Sequence, residues 1–294
     1  MTAASALAVS RRGVLGGALG LALTSSRVAR AATMSPPVLY VSHGSPLFLP
    51  GNEARRAELK DWGTRLAKPR GIVVMTPHYG SRHLELGRIG RGVPLYDLPG
   101  PIKRRLPQCL EYATPPSESL AQQVEALVSG SWSPSRGERR GFDHTTWMPL
   151  LCLFPAADVP VLEVSYPYIR EPDLFLLGQK LAPLREEGVL FIASGQVTHN
   201  LAMFDPHAAP PPWAKEFDAW AAETVASGNV DALVDWRTKA PAAELAHPDD
   251  GGHYRVLLVA LGVALGSARA APSVSFPVTG FEATMSKRCV EMGP

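Results

Sequence analysis

Five of the eight histidines in this 294-residue chain stand where a short apolar run ends or a helix begins: His43, His78, His144, His199 and His253. Neutral imidazole is the commonest nitrogen ligand for zinc and iron, and its second ring nitrogen takes an orienting hydrogen bond. Ser42, Thr76, Thr198 and Asn200 are the neighbours expected to supply such bonds. A set of this kind, gathered in one crevice, would form a mononuclear metal centre. Taken one at a time, the same residues have plainer readings. His43 and His78 also suit hydrogen-bonded turns, His144 beside Asp143 suits a helix cap, and His253 suits the start of an apolar helix. Recurrence of the pattern, rather than any single instance, points to the metal. His83, His207 and His247 flank loops and are read as solvated.

Three of the five follow apolar strands. The run Val38-Leu39-Tyr40-Val41-Ser42 stops on His43 and breaks into Gly44-Ser45-Pro46. Residues 71–77 deliver His78, and residues 189–195 lead through Gln196-Val197-Thr198 to His199. Open α/β sheets place their ligands at such carboxyl ends of buried strands. Between the strands, residues 52–67, 117–129, 173–187 and 213–226 read as helices, with Leu59, Trp62 and Leu66 on one side of the first. Residues 141–147 form a turn entering an apolar helix that runs to Phe154, and the polar turn 247–253 opens the apolar helix 254–265. Further strands are expected over 84–89, 159–166 and 273–278, the last closing the sheet. This alternation argues for a single α/β domain over residues 36–294. Its sheet is mixed and mostly parallel, with helices on both faces and the metal site at the carboxyl ends of the strands.

The N-terminus is a separate matter. Ser10-Arg11-Arg12-Gly13-Val14-Leu15 is a twin-arginine pattern, followed by an apolar run over 13–23 and a small-x-small site at Ala29-Arg30-Ala31. Residues 1–31 therefore read as a signal peptide for Tat-type export to the periplasm, with a cytoplasmic protein the outcome if the signal does not function. The apolar run is too short to span a bilayer, so no stable membrane insertion is expected. Its removal takes four arginines and no acids, and the formal charge of +2 becomes −2. Nothing in that balance points to nucleic acid. The three cysteines (Cys109, Cys152 and Cys289) lack a C-x-x-C spacing and offer neither a disulfide framework nor a thiolate zinc site. H-E-x-x-H, Walker A and G-x-S-x-G motifs are absent, and Ser45 is followed by Pro46 where a nucleophile elbow would turn into a helix.

Five motifs occur in a telling order: Ser42-His43-Gly44-Ser45-Pro46, Thr76-Pro77-His78-Tyr79, Gly141-Phe142-Asp143-His144-Thr145-Thr146-Trp147, Ser194-Gly195-Gln196-Val197-Thr198-His199-Asn200-Leu201 and His247-Pro248 through His253-Tyr254. The series resembles the DODA-type (LigB-like) extradiol aromatic ring-opening dioxygenases and spans residues 36 to about 285. The resemblance implies one divalent metal ion. His43, His78, His199 and His253 match the family's metal-site histidines, His144 matches its acid/base histidine, and Tyr96-Asp97 resemble a loop lining its pocket. His199 is carried as ligand or as base. The implied partners are O2 and a small-molecule catechol, DOPA among the candidates. Fe(II) is the implied catalytic ion, with Zn(II) as an ion that imidazoles bind equally well. The chain departs from the family pattern in a 247–253 turn one residue longer, in Glu163 where a neutral amide is expected, and in Pro77 before His78. Two rival readings stand beside it: a zinc hydrolase, in which the metal activates water, and a non-catalytic periplasmic metal-binding protein.

Overall fold

Along β1 (Val38–Ser42) successive side chains enter two different cores. Val38 and Tyr40 pack on one face of the sheet, Leu39 and Val41 on the other. A strand buried on both faces must be apolar throughout, which is why these runs show no polar alternation. The computed structural model describes residues 35–46, 51–104, 111–137, 140–266 and 272–293; the expected signal segment 1–31 and Cys109 lie outside them.

After β1 come α1 (Glu53–Arg65), β2 (Gly71–Ser81), β3 (Glu85–Leu86), α2 (Glu118–Val128), β4 (Ser135–Arg136) and α3 (His144–Leu153). Then follow β5 (Val161–Pro167), α4 (Glu171–Leu181), β6 (Val189–Gly195), α5 (Pro212–Ala226) and α6 (Gly252–Leu265). The chain closes with β7 (Val274–Ser275), β8 (Phe281–Glu282), β9 (Met285–Ser286) and β10 (Val290–Met292). Eight of the strands form one sheet in the order β4-β3-β5-β2-β6-β1-β10-β7, and β8 pairs with β9. The centre is parallel, with β5, β2, β6 and β1 side by side, while β10 and β7 add an antiparallel edge. One face is covered by α2, α4, α5 and α6, the other by α1 and α3. The α/β class with helices on both faces is thus as the periodicity implied.

Helix α1 begins where Asn52 accepts a hydrogen bond from the Arg55 N–H, and it buries Leu59 and Trp62. Helix α6 begins after Gly251, whose φ of +75° favours glycine, and runs almost wholly buried. No helix among the described residues is long and apolar enough to cross a membrane. Cys152 and Cys289 are buried free thiols.

Four boundaries differ from the sequence expectation. The strand expected to stop at Pro77 continues to Ser81, because its pairing with β5 skips from Thr76↔Ser165 to Gly80↔Tyr166 and resumes. Proline ended only the register, not the strand. The strand expected over 84–89 shrinks to Glu85–Leu86. Helix α4 gives way at Leu181 to a tighter turn, Ala182–Leu184, around Pro183. The expected final strand 273–278 is only Val274–Ser275, and β10 enters the sheet between it and β1.

Helices α4 and α6 cross at two glycines. A Cβ on Gly178 would lie 2.1 Å from the Val259 carbonyl oxygen, and one on Gly262 would lie 2.2 Å from that of Phe175. Backbone, not a movable side chain, fills that space. The substitution Gly262→Ala should therefore cost about 1–3 kcal/mol by overpacking. It should lower the urea midpoint with the slope unchanged; an unaltered midpoint would show that the helices part without cost.

Candidate metal centre

One strand end, one break within a strand and one helix start present three imidazoles. His43 follows β1, its backbone N–H bonded to the Gly195 carbonyl at the end of β6. His78 rides on the register break of β2, where Pro77, His78 and Tyr79 have no partners on β5. A bulge of this kind turns a side chain out of the sheet. His253 is the second residue of α6, which abuts the end of β6 so closely that a Cβ on Gly195 would lie 2.2 Å from the His253 carbonyl oxygen. That carbonyl accepts hydrogen bonds from the Gln196 N–H (3.0 Å) and the Tyr40 hydroxyl (2.8 Å).

The three rings converge. Their centroids are 5.3–5.4 Å apart in every pair, and one nitrogen from each lies within 4.8 Å of the others. The Nε2 atoms of His78 and His253 are 3.2 Å apart. Two imidazoles bound to one ion at zinc–nitrogen distances place their nitrogens about 3.0–3.4 Å apart, so this spacing suits a shared ion.

Protonation fits as well. Burial first, and the other imidazoles second, hold His43 and His253 well below the ordinary histidine range. Burial also lowers His78, although Asp143 and Asp97 oppose it. Neutral imidazole is the form that binds metal. The tautomer of His43 follows from its neighbour. The Ser194 hydroxyl spends its one hydrogen on the Thr145 carbonyl (2.5 Å) and therefore accepts from His43 Nδ1 (3.1 Å). His43 Nε2 is left bare toward the other two rings.

His144 and His199 flank this trio. His144 opens α3, its ring 4.9 Å from that of His78 and nearly perpendicular to it. Its partner is Asp97 and not the adjacent Asp143: Oδ2 of Asp97 lies 2.7 Å from His144 Nδ1, and Oδ1 accepts the His144 backbone N–H at 2.8 Å. Half-burial pushes the Asp97 carboxyl up, but these bonds hold it below its ordinary value. Asp143 instead caps α3 through the Thr145 N–H and binds Arg140 at 2.5 Å. Arg140 also reaches the His78 carbonyl and Glu163, each at 3.2 Å, and lies over the Tyr79 ring. His199 stacks on His253 at 3.6 Å with the planes 12° apart, and its Nδ1 is 3.8 Å from Asp249.

One histidine read as solvated is not. His247 is wholly buried among Phe217, Trp236 and Tyr254, with Nε2 donating to the Val197 carbonyl at 2.8 Å. Desolvation lowers its pKa to about 4. Its polar neighbours in sequence (Pro248, Asp249, Asp250) disguised a ring that turns into an aromatic core. His83 and His207 are exposed. The four hydroxyl and amide groups expected to orient imidazoles mostly serve backbone elsewhere: Ser42 bonds Arg288, Thr198 bonds Thr284, and Asn200 bonds Leu245. Thr76 pairs with the Thr145 hydroxyl (2.6 Å) and accepts the backbone N–H of His78, not its ring. Ser194 and Arg140 were missed; each is one polar letter among many, with no periodicity to mark it. Asp97 had been read only as pocket lining.

The chain resembles known proteins in sequence and in fold. A family model described as the catalytic LigB subunit of aromatic ring-opening dioxygenase matches residues 37–284. The 4,5-DOPA dioxygenase extradiol of Beta vulgaris is 33% identical over 237 residues, covering 76% of this chain and 85% of that protein. The 4,5-DOPA dioxygenase extradiol of Escherichia coli (strain K12) is 31% identical over 269 residues, 87% of this chain and 94% of that one. A crystal structure of an uncharacterized protein from Escherichia coli K12 matches with a TM-score of 0.72 and 28% identity, over 88% of this chain and 100% of that chain.

Glu163 stands at the back of the site, 1% exposed, bonded to Arg140 and to the Thr146 hydroxyl (2.6 Å). Burial, with Asp143 adding to it, raises its carboxyl to about 8. It thus keeps its proton to higher pH than an ordinary carboxyl, at the position where the family resemblance leads to the expectation of a neutral amide. Between its ordinary value of 4.5 and about 8 the unfolded chain sheds this proton while the folded chain keeps it. Its contribution to stability therefore falls as pH rises through that window. The variant E163Q, which cannot ionise, should gain on the wild type in urea midpoint from pH 5 to pH 8. A gap that stays constant with pH would place the Glu163 pKa in the ordinary range.

Proposed function

This chain belongs to the LigB family of aromatic ring-opening dioxygenases and is an extradiol dioxygenase, and from that premise we propose that it opens the ring of a catechol with O2 at one divalent ion held by His43, His78 and His253. The observation that carries the proposal is the convergence of three neutral imidazoles at the carboxyl ends of β1 and β2 and the start of α6. Fe(II) bound there would supply the redox-active centre that triplet dioxygen needs to react with a closed-shell ring.

The chain's own part is to hold the ring and move protons. His144 is placed to take a hydroxyl proton from the catechol at Nε2, since its Nδ1 is engaged by Asp97. His199 is assigned to proton handling as well. Its ring stacks on that of His253 at 3.6 Å and its Nδ1 faces Asp249 at 3.8 Å, beside the three imidazoles that would hold the ion. Trp147 is wholly buried and Tyr79 lies under Arg140, so both pack the walls of the site. DOPA is the first catechol to try, given the relatives above. Export through the Tat route is part of the same proposal, supported by Arg11-Arg12 and the following apolar run. Cell fractionation tests it, with the protein expected in the periplasm.

For the chemistry, the metal-free protein is loaded anaerobically with Fe(II), mixed with DOPA, protocatechuate and further catechols, and followed by oxygen uptake. The wild type should consume oxygen and form a yellow ring-opened product, while H43A and H78A should lose both metal and turnover. His144→Ala should keep the metal and lose most turnover, by about 10²–10⁴-fold. No uptake across a broad catechol panel would end the dioxygenase proposal, and loss of metal in the last variant would make His144 a ligand.

A further inference from the structure

The acid beside His144 in sequence is not the acid that holds it. Both oxygens of Asp143 are committed: Oδ1 to the backbone N–H and hydroxyl of Thr145 (2.9 and 2.5 Å), Oδ2 to Arg140. The contact comes instead from 47 residues upstream, where one carboxylate grips the same histidine twice, at ring and at backbone.

The loop that brings it is built for that position. Its backbone is zipped along the approach to α3: the Leu95 N–H donates to the Phe142 carbonyl (2.7 Å) and the Phe142 N–H to the Val93 carbonyl (2.9 Å). The turn that then swings Asp97 inward is made at Tyr96, which adopts φ +52° without being a glycine. A bulky residue in that region is strained and persists only where its surroundings hold it. They do so here, with the Tyr96 ring set against Trp147 of α3 at 5.7 Å. Strain, backbone pairing and ring packing all end in one placement, that of the Asp97 carboxylate over the first residue of α3.

We propose that Asp97 is the positioning residue for His144, its two-point grip fixing the imidazole as the Nδ1–H tautomer so that Nε2 is the nitrogen free to accept a substrate proton. This rests on the reading of His144 as the acid/base group. The geometry makes the choice of tautomer unambiguous, because an ionised carboxylate only accepts hydrogen bonds. The backbone contact adds what a ring contact alone lacks: it anchors the carboxylate at the helix N-terminus, where unpaired N–H groups favour negative charge. The ring is then left with one orientation relative to His78.

Long-range 1H–15N spectra of histidine-labelled full-length protein, metal-free and Zn(II)-loaded, read the tautomer directly, with the His144 signals assigned by their loss in H144Q. The wild type should show His144 protonated at Nδ1 and bare at Nε2, and D97N should shift that ring toward the Nε2–H form. In Fe(II)-loaded enzyme D97N should lower kcat about 10–100-fold, with KM changed by less than about three-fold and metal content kept. D97E, which retains the carboxylate, should recover part of the loss. A wild-type His144 protonated at Nε2, an unshifted tautomer in D97N, or an unchanged kcat in D97N would each overturn the proposal. Because the wild-type spectrum needs neither a variant nor turnover, it tests the grip even if no catechol is consumed, an outcome that would count against the dioxygenase reading alone.

Discussion

The site depends on one backbone contact: the start of α6 pressed against the end of β6. Gly195 leaves no side chain between them, and the His253 carbonyl accepts hydrogen bonds from Gln196 and Tyr40. Holding that main-chain oxygen from two directions fixes the backbone from which the His253 ring projects. His43 is tied to the same point by its N–H on the Gly195 carbonyl. Two of the three converging imidazoles are therefore referenced to a single glycine. The third, His78, is set by the skipped register of β2 and by Arg140 on its carbonyl.

Electrostatics follow from that crowding. Imidazoles this close cannot all be charged, and burial pushes them further toward the neutral form. Carboxylates then stand behind the flanking rings rather than among the converging three. Asp97 holds His144, and Asp249 faces His199 with its own carboxyl lowered to about 2, chiefly by that histidine. Arg140 ties Asp143, Glu163 and the His78 backbone into one knot, so the start of the helix carrying His144 is bonded to the strand carrying His78. The negative charge at the site thus acts on orientation and proton placement.

Much of this was legible in the letters, for identifiable reasons. Doubly buried strands write continuous apolar runs, so β1, β5 and β6 were plain, and the ordered histidine motifs indicated the family before any geometry. What escaped was decided by direction rather than by composition. His247 sits in a polar turn yet faces an aromatic core. Pro77 reads as a stop, yet the strand resumes beyond it. The edge strand β10 is three residues long and carries no pattern that a window can catch. The partner of His144 lies 47 residues upstream, and no local pattern connects it with the histidine, whereas the adjacent Asp143 is consumed by the helix cap.

The position of β1 has a consequence for the life of the polypeptide. It lies between β6 and β10, so the first strand of the sheet finds its neighbours only when residues 189–195 and 290–292 are available. Pairings this distant along the chain form late in folding. On the ribosome, His43 and His78 emerge well before His253, the third member of the converging trio. A nascent chain therefore lacks the three-imidazole cluster, which is complete only once the start of α6 has been made. An ion bound as proposed would then be taken up by the completed fold, wherever in the cell folding ends.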